Sequence, residues 1–135
     1  MQEISLEARV ENLDKVLAFV DEAVSGLDCS IKARTQLDIA VEEIFVNIAH
    51  YAYEPGTGMA TLQFEAFDDP ASVSFTFIDS GVPYDPLKKE DPDVTLPAEE
   101  RQIGGLGIYM VKKSMDEMTY RHENGKNILC IKKNL

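Results

Sequence analysis

The sequence predicts an α+β fold, and three observations predict it. A strand-like start is followed by two segments of helical period. Two hydrophobic runs then flank Asp68-Asp69-Pro70, and two further runs flank Asn124-Gly125.

Ile4, Leu6, Ala8 and Val10 alternate with Ser5, Glu7 and Arg9, the pattern of a half-buried strand. Asn12 follows as an expected N-cap, since its short side chain can accept from free first-turn amides. Leu13, Val16, Leu17, Val20, Ala23, Val24 and Leu27 recur at helical spacing up to the break at Gly26-Leu27-Asp28. Ser30 is the expected cap of a second, long helix running to about Tyr53, where Pro55-Gly56-Thr57-Gly58 supplies turn chemistry. The runs Ala60 to Phe67 and Val73 to Ile78 read as an antiparallel hairpin.

From Pro83 to Gln102 the chain carries four of its six prolines and many charges without a sustained period, and reads as a long loop. Loops of that length inside a compact domain are usually functional lids or disordered; a mobile lid ordered by ligand is expected from about Pro86 to Gln102, against a disordered insertion that ignores ligand. Gly104-Gly105-Leu106-Gly107 then opens a short helix to about Ser114. Strands near Met118 to His122 and Ile128 to Lys132 turn at Asn124-Gly125, a strong hairpin signal. With no repeat and no linker between two cores, one domain over residues 1–135 is expected.

Composition narrows the function classes. A 44% hydrophobic and 27% charged chain is ordinary for a globular protein. A formal net charge of -11 argues against nucleic acid or an anionic membrane as partner. A polyphosphate ligand would need a metal ion and aimed backbone amides, while a basic protein partner would suit the field. Cys29 and Cys130 are far apart and in no CxxC pattern, so reduced thiols are expected. The start has no basic segment leading into an apolar run, and nothing approaches the ~18 apolar residues of a membrane span, so a cytoplasmic location is expected.

Three short motifs carry chemistry. Glu43 and Asn47 are at i and i+4 on the long helix and project from one face, at the edge of the stripe formed by Leu37, Ala40, Val41, Ile44 and Ile48. Asn is a poor helix-interior residue, but its carbonyl can coordinate Mg²⁺ and a neighbouring Glu can accept a proton. Asp79, in Asp79-Ser80-Gly81-Val82-Pro83-Tyr84-Asp85-Pro86, shares a strand face with Val73, Phe75 and Phe77. A carboxylate at the rim of a core is expensive unless something hydrogen-bonds it. An amino-bearing heterocycle would, and Gly81 would let backbone approach the ring. Finally, the glycine cluster at 104–107 opens a helix whose free amides and dipole favour phosphate. Each motif alone has a plainer explanation: a solvated helix face, a strand-ending turn, a flexible helix start. A dinucleotide fold lacks its βαβ context.

Taken in order, E-x-x-x-N on a helix, D-x-G-x-P-Y-D-P after a strand, a proline-rich loop and G-G-x-G before a helix resemble the boxes of the GHKL superfamily of gyrase, histidine kinases and mismatch-repair ATPases. Glu43 to Tyr53 (EIFVNIAHYAY), the D-x-G-x-P-Y-D-P box and Met115-Asp116-Glu117 further resemble bacterial anti-sigma-factor serine kinases. The resemblance spans nearly the whole chain. It implies a Bergerat fold, a two-layer α/β sandwich with a mixed, mostly antiparallel sheet and helices on one face, with ATP under the lid. By resemblance, Glu43 is the general base, Asn47 the Mg²⁺ ligand, Asp79 the adenine-recognising carboxylate and Gly81 its close-approach glycine. Gly105 and Gly107 match the phosphate-contacting hinge, and Arg101 is a candidate phosphate contact. Where the family often carries Gly-Thr before the last strand, this chain reads Gly125-Lys126-Asn127-Ile128, making Asn127 the candidate replacement near the base. The implied partners are a sigma factor and a small anti-anti-sigma (STAS) protein whose serine receives the γ-phosphate, and a homodimer is expected. A nucleotide-gated binding module without transfer is the competing reading, which the Glu43 base disfavours. A detached histidine kinase half is disfavoured because His50 lies in the nucleotide helix and His122 on a strand.

Overall fold

A computed structural model describes residues 2–53, 56–88 and 105–135. In chain order these form β1 (Gln2–Glu7), α1 (Leu13–Val24), α2 (Ile31–Asn47), β2 (Met59–Asp68), β3 (Ala71–Asp79), α3 (Gly105–Ser114), β4 (Glu117–Glu123) and β5 (Lys126–Asn134). A 3₁₀ turn at Val10–Asn12 precedes α1, and a π-helical turn, Ile48–Ala52, prolongs α2. The strands make a five-stranded sheet in the order β1-β2-β3-β5-β4.

All four ladders among the described residues are antiparallel, where a mixed sheet is expected from the sequence. The reason is placement. β4 runs parallel to β3, but β5 folds back from it at Asn124-Gly125 and takes the position between them. The Asn124-Gly125 turn has φ of 53° and 76°, the left-handed pair that a two-residue hairpin demands.

One face of the sheet carries the core. Val73 and Phe75 are fully buried on β3, and Leu62, Phe64, Leu129 and Ile131 flank them on β2 and β5. Helices α1, α2 and α3 close the same cluster with Val16 and Val20, with Leu37, Ala40, Val41 and Ile44, and with Val111. The α2 stripe read from the sequence is therefore the buried one, widened by Phe45. Ser30 caps α2 as expected, its hydroxyl accepting from the Ala33 amide at 3.1 Å.

Asn12 does not cap α1. Its backbone sits at φ -93°, ψ 0°, outside the extended region a capping side chain needs. Its Nδ2 instead donates to the Glu7 carbonyl at 2.9 Å, tying the turn back to β1. That turn also stops β1 at Glu7, short of Val10. The loop expected over Pro83 to Gln102 shows a short 3₁₀ turn at Pro86–Lys88, started by the Asp85 carboxylate accepting from the Leu87 amide at 2.9 Å. The rest of that expected lid, with Gly104 and Arg101, lies outside the described residues. Cys29 and Cys130 are both free thiols. No helix among the described residues is long and apolar enough to cross a membrane.

Candidate functional site

A cleft opens where the C-terminal end of α2 meets the ends of β3 and β5. Its walls are mostly apolar, Ile44, Ile48, Phe77, Ile108 and Leu129 among them. Three of the residues expected from the sequence to bind the cofactor, Asn47, Asp79 and Asn127, line it.

Asp79 stands on the core face of β3 because strand side chains alternate, so the parity that buries Phe75 and Phe77 also buries it, at 6% exposure. Antiparallel pairing puts Asn127 of β5 directly opposite. Asn127 Nδ2 donates to Asp79 Oδ1 at 2.9 Å, and the Gly81 amide donates to the same oxygen at 2.9 Å. The other carboxylate oxygen has no hydrogen bond among the described residues. A half-satisfied carboxylate on the wall of an apolar cleft is a strong acceptor awaiting a donor.

Asn127 is fully committed to protein. Its amide nitrogen also reaches the Val82 carbonyl at 2.9 Å and the Gly81 carbonyl at 3.4 Å. Its carbonyl oxygen accepts from the Tyr120 hydroxyl at 2.5 Å and from the Tyr84 amide at 3.3 Å. One buried side chain thus fixes Asp79, the loop after β3, and Tyr120 on β4. Burial pushes the Tyr120 phenol up from its ordinary pKa, so it stays a donor.

Gly81 makes its close approach to protein. A Cβ there would meet the Ala52 backbone, 2.6 Å from the carbonyl carbon, and the next amide, Val82, donates to the Ala52 carbonyl at 2.9 Å. The π turn at Ile48–Ala52 delivers that carbonyl and turns Tyr51 to the cleft. Such turns inside helices recur at functional sites. Tyr53 adds a strut: its hydroxyl donates to the Met59 carbonyl at 2.6 Å and accepts from the Ser80 amide at 2.7 Å. Its ring fills the place a side chain at Gly58 would take.

Glu43 and Asn47 lie one turn apart on α2, both half-buried, and their side chains have no hydrogen bond or ion pair to any described residue. Asn47 lines the cleft; Glu43 lies beyond it, against Gly107 in the first turn of α3. Gly105 is the first residue of that helix, and Arg101 is outside the described residues. No group of three or more His, Cys, Asp or Glu among the described residues could hold a metal.

Sequence reasoning missed the tyrosines. Tyr120 had a signal, sharing the inward parity of Met118 on β4. Tyr53 had none, since its partners Met59 and Ser80 belong to other elements.

The sequence profile of a family described as the histidine kinase-like ATPase domain matches residues 6–133. A protein named serine-protein kinase RsbW from Bacillus cereus is 32% identical over 100 residues, covering 71% of this chain and 61% of its own length. Its namesake from Bacillus mycoides is 31% identical over the same shares. The chain thus spans about 61% of the length of these relatives. Among solved structures, joined RsbU and RsbW domains from Mycobacterium tuberculosis superpose with a TM-score of 0.65 at 14% identity, covering 100% of this chain and 33% of that one. The histidine kinase domain of a blue-light activated histidine kinase from Erythrobacter litoralis gives 0.56 at 12% identity, covering 93% and 60%. Both share the α+β sandwich.

Proposed function

Because this chain belongs to the histidine kinase-like ATPase domain family, we propose that it is an ATP-binding anti-sigma factor acting in the cytoplasm as a protein serine kinase on a STAS-domain anti-anti-sigma partner. The observation that carries the nucleotide reading is Asp79. It is buried, gripped through one oxygen by Gly81 and Asn127, and has its other oxygen without a partner among the described residues, on an apolar wall. Adenine, a flat ring whose faces suit an apolar wall and whose exocyclic amino group is a donor, answers both features. Guanine would put a carbonyl against the carboxylate.

Asn127 then serves from behind, holding the carboxylate rather than touching the base, since the protein already occupies all its hydrogen-bonding groups. The phosphates would lead from the base toward Asn47 and the first turn of α3, whose Gly105 and Gly107 offer helix-start amides. Asn47 fits a metal ligand because its side-chain oxygen is uncommitted among the described residues. Mg²⁺, when bound, supplies charge neutralisation on the phosphates.

Glu43 would take the proton from the partner's serine hydroxyl. The serine oxygen forms the new bond to the γ-phosphorus, the β–γ bridging bond breaks, and ADP leaves. A free carboxylate with no ion pair among the described residues is available for that duty. The names of the relatives support the serine kinase assignment, and a sigma factor would be the second partner.

Incubation with Mg-ATP and candidate STAS proteins, read by intact mass, tests the proposal. A gain of one phosphate on a STAS serine supports it. No transfer to any such partner, with ATP still bound, would favour a nucleotide-gated binding module instead.

A further inference from the structure

Gly107 has an ordinary helical backbone; Gly125 is the glycine at positive φ among the described residues. Conformational freedom therefore does not explain a glycine at 107, and alanine is the better helix former. Space does explain it. A Cβ on Gly107 would collide with Glu43 Oε2, and would lie 2.9 Å from Glu43 Cδ and 3.6 Å from Cγ. The Glu43 carboxylate thus fills the volume that any other residue at 107 would claim. Among the described residues nothing polar holds it: the Glu43 carboxylate has no hydrogen bond or ion pair there.

We propose that Gly107 is a positioning residue for Glu43, its missing side chain being the seat that aims the carboxylate. The inference rests on Glu43 as the general base. It assigns Gly107 a role distinct from contacting phosphate, and makes the base's aim depend on how the first turn of α3 lies against α2. A side chain at 107 would push the carboxylate off line, whereas an aspartate in place of Glu43, shorter by one methylene, or about 1.5 Å, would clear it.

The test is a double-mutant cycle of Gly107→Ala and Glu43→Asp on the full chain, read in phosphate transfer and in thermal unfolding. Gly107→Ala alone should lower kcat tenfold or more. In the Glu43→Asp background it should cost less than threefold. The effect on melting should differ between the backgrounds: Gly107→Ala raises Tm less when Glu43 is intact, where the carboxylate must move aside, than in the Glu43→Asp background, where the helix preference of alanine is released. Equal losses in both backgrounds, or a loss confined to KM for ATP, would assign Gly107 to the phosphates and overturn the proposal. Equal Tm shifts in both backgrounds overturn it as well, even in a protein that transfers no phosphate. Failure of the kinase reading is seen separately, as Glu43→Gln transferring at the wild-type rate or as no transfer at all.

Discussion

Asp79→Asn tests the nucleotide reading most directly, and its magnitude follows from the bonds around one oxygen. Oδ1 accepts from the Gly81 amide and from Asn127 Nδ2, both at 2.9 Å. An amide replacing the carboxylate must keep its oxygen there, because the reverse orientation sets its NH₂ against two donors. The fold is then largely preserved, and the new NH₂ group takes the position of the free carboxylate oxygen. It meets the adenine amino group donor to donor. A hydrogen bond to a charged acceptor contributes about 1.5–3 kcal/mol, and an unmade buried one costs about 1–3 kcal/mol. At ~1.4 kcal/mol per tenfold, ATP and ADP affinity should fall roughly tenfold to a few hundredfold. GTP should lose less, or gain, because the new donor faces the guanine carbonyl, so the wild-type preference for ATP narrows or inverts. Isothermal titration calorimetry with Mg-ADP and Mg-GDP on both proteins measures this. Wild-type affinity for ADP in Asp79→Asn, with an unaltered ADP/GDP ratio, would refute the assignment of the carboxylate to the base.

The other predictions address neighbouring groups. Glu43→Gln keeps the shape of the base and should leave nucleotide binding intact while slowing transfer by about 10²–10⁴-fold, as single-turnover assays with a STAS partner would register. Asn47→Ala should abolish most of the Mg²⁺ dependence of ATP binding, visible as similar affinities with Mg²⁺ and with EDTA. Asn127→Ala strands the Tyr120 hydroxyl and loosens the loop after β3; a loss of about 2 kcal/mol is expected, or roughly 6–10 °C in Tm, together with weaker ADP binding. Asp38 has its carboxyl held above the ordinary range by burial first and then by neighbouring Asp21, against the opposing pull of Arg34 and with a further push from Glu42. Its protonated form is thus favoured by folding, and the ionised form destabilises the protein once pH exceeds the unfolded value. Asp38→Asn should therefore raise Tm at pH 7, with the gain shrinking as pH falls toward 4; a constant or growing gain would contradict the burial argument.

Much of this architecture was legible because it is local. Period-two patterning on β3 buries Val73, Phe75, Phe77 and Asp79 together, and the stripe Leu37, Ala40, Val41, Ile44 is buried as its spacing requires. Ser30 and Asn124-Gly125 act within three residues of themselves. The misreadings concern effects set at a distance. Asn12 looked like a cap, but the turn before it places its side chain on the Glu7 carbonyl. The long helix changes to a π turn at Ile48, where Ala52 must meet Val82. The mixed sheet failed for lack of any pattern fixing β5 between β3 and β4. The place of Asn127 as a hub depends on the β3–β5 register, which no nearby residue encodes.

That register has a bearing on how the protein folds. Hairpins β2–β3 and β4–β5 close across short turns and can form early. Asp79 and Asn127, by contrast, are 48 positions apart, a non-local pairing of the kind expected to form after the hairpins. The acceptor proposed for the nucleotide, Asp79 held by Asn127, is complete only once the two halves of the sheet have joined. Nucleotide would then have no site on either hairpin alone, and its binding would act as a latch on the finished sheet. In refolding, recovery of ADP binding should trail the return of strand circular dichroism, and saturating ADP should slow unfolding far more than it speeds folding.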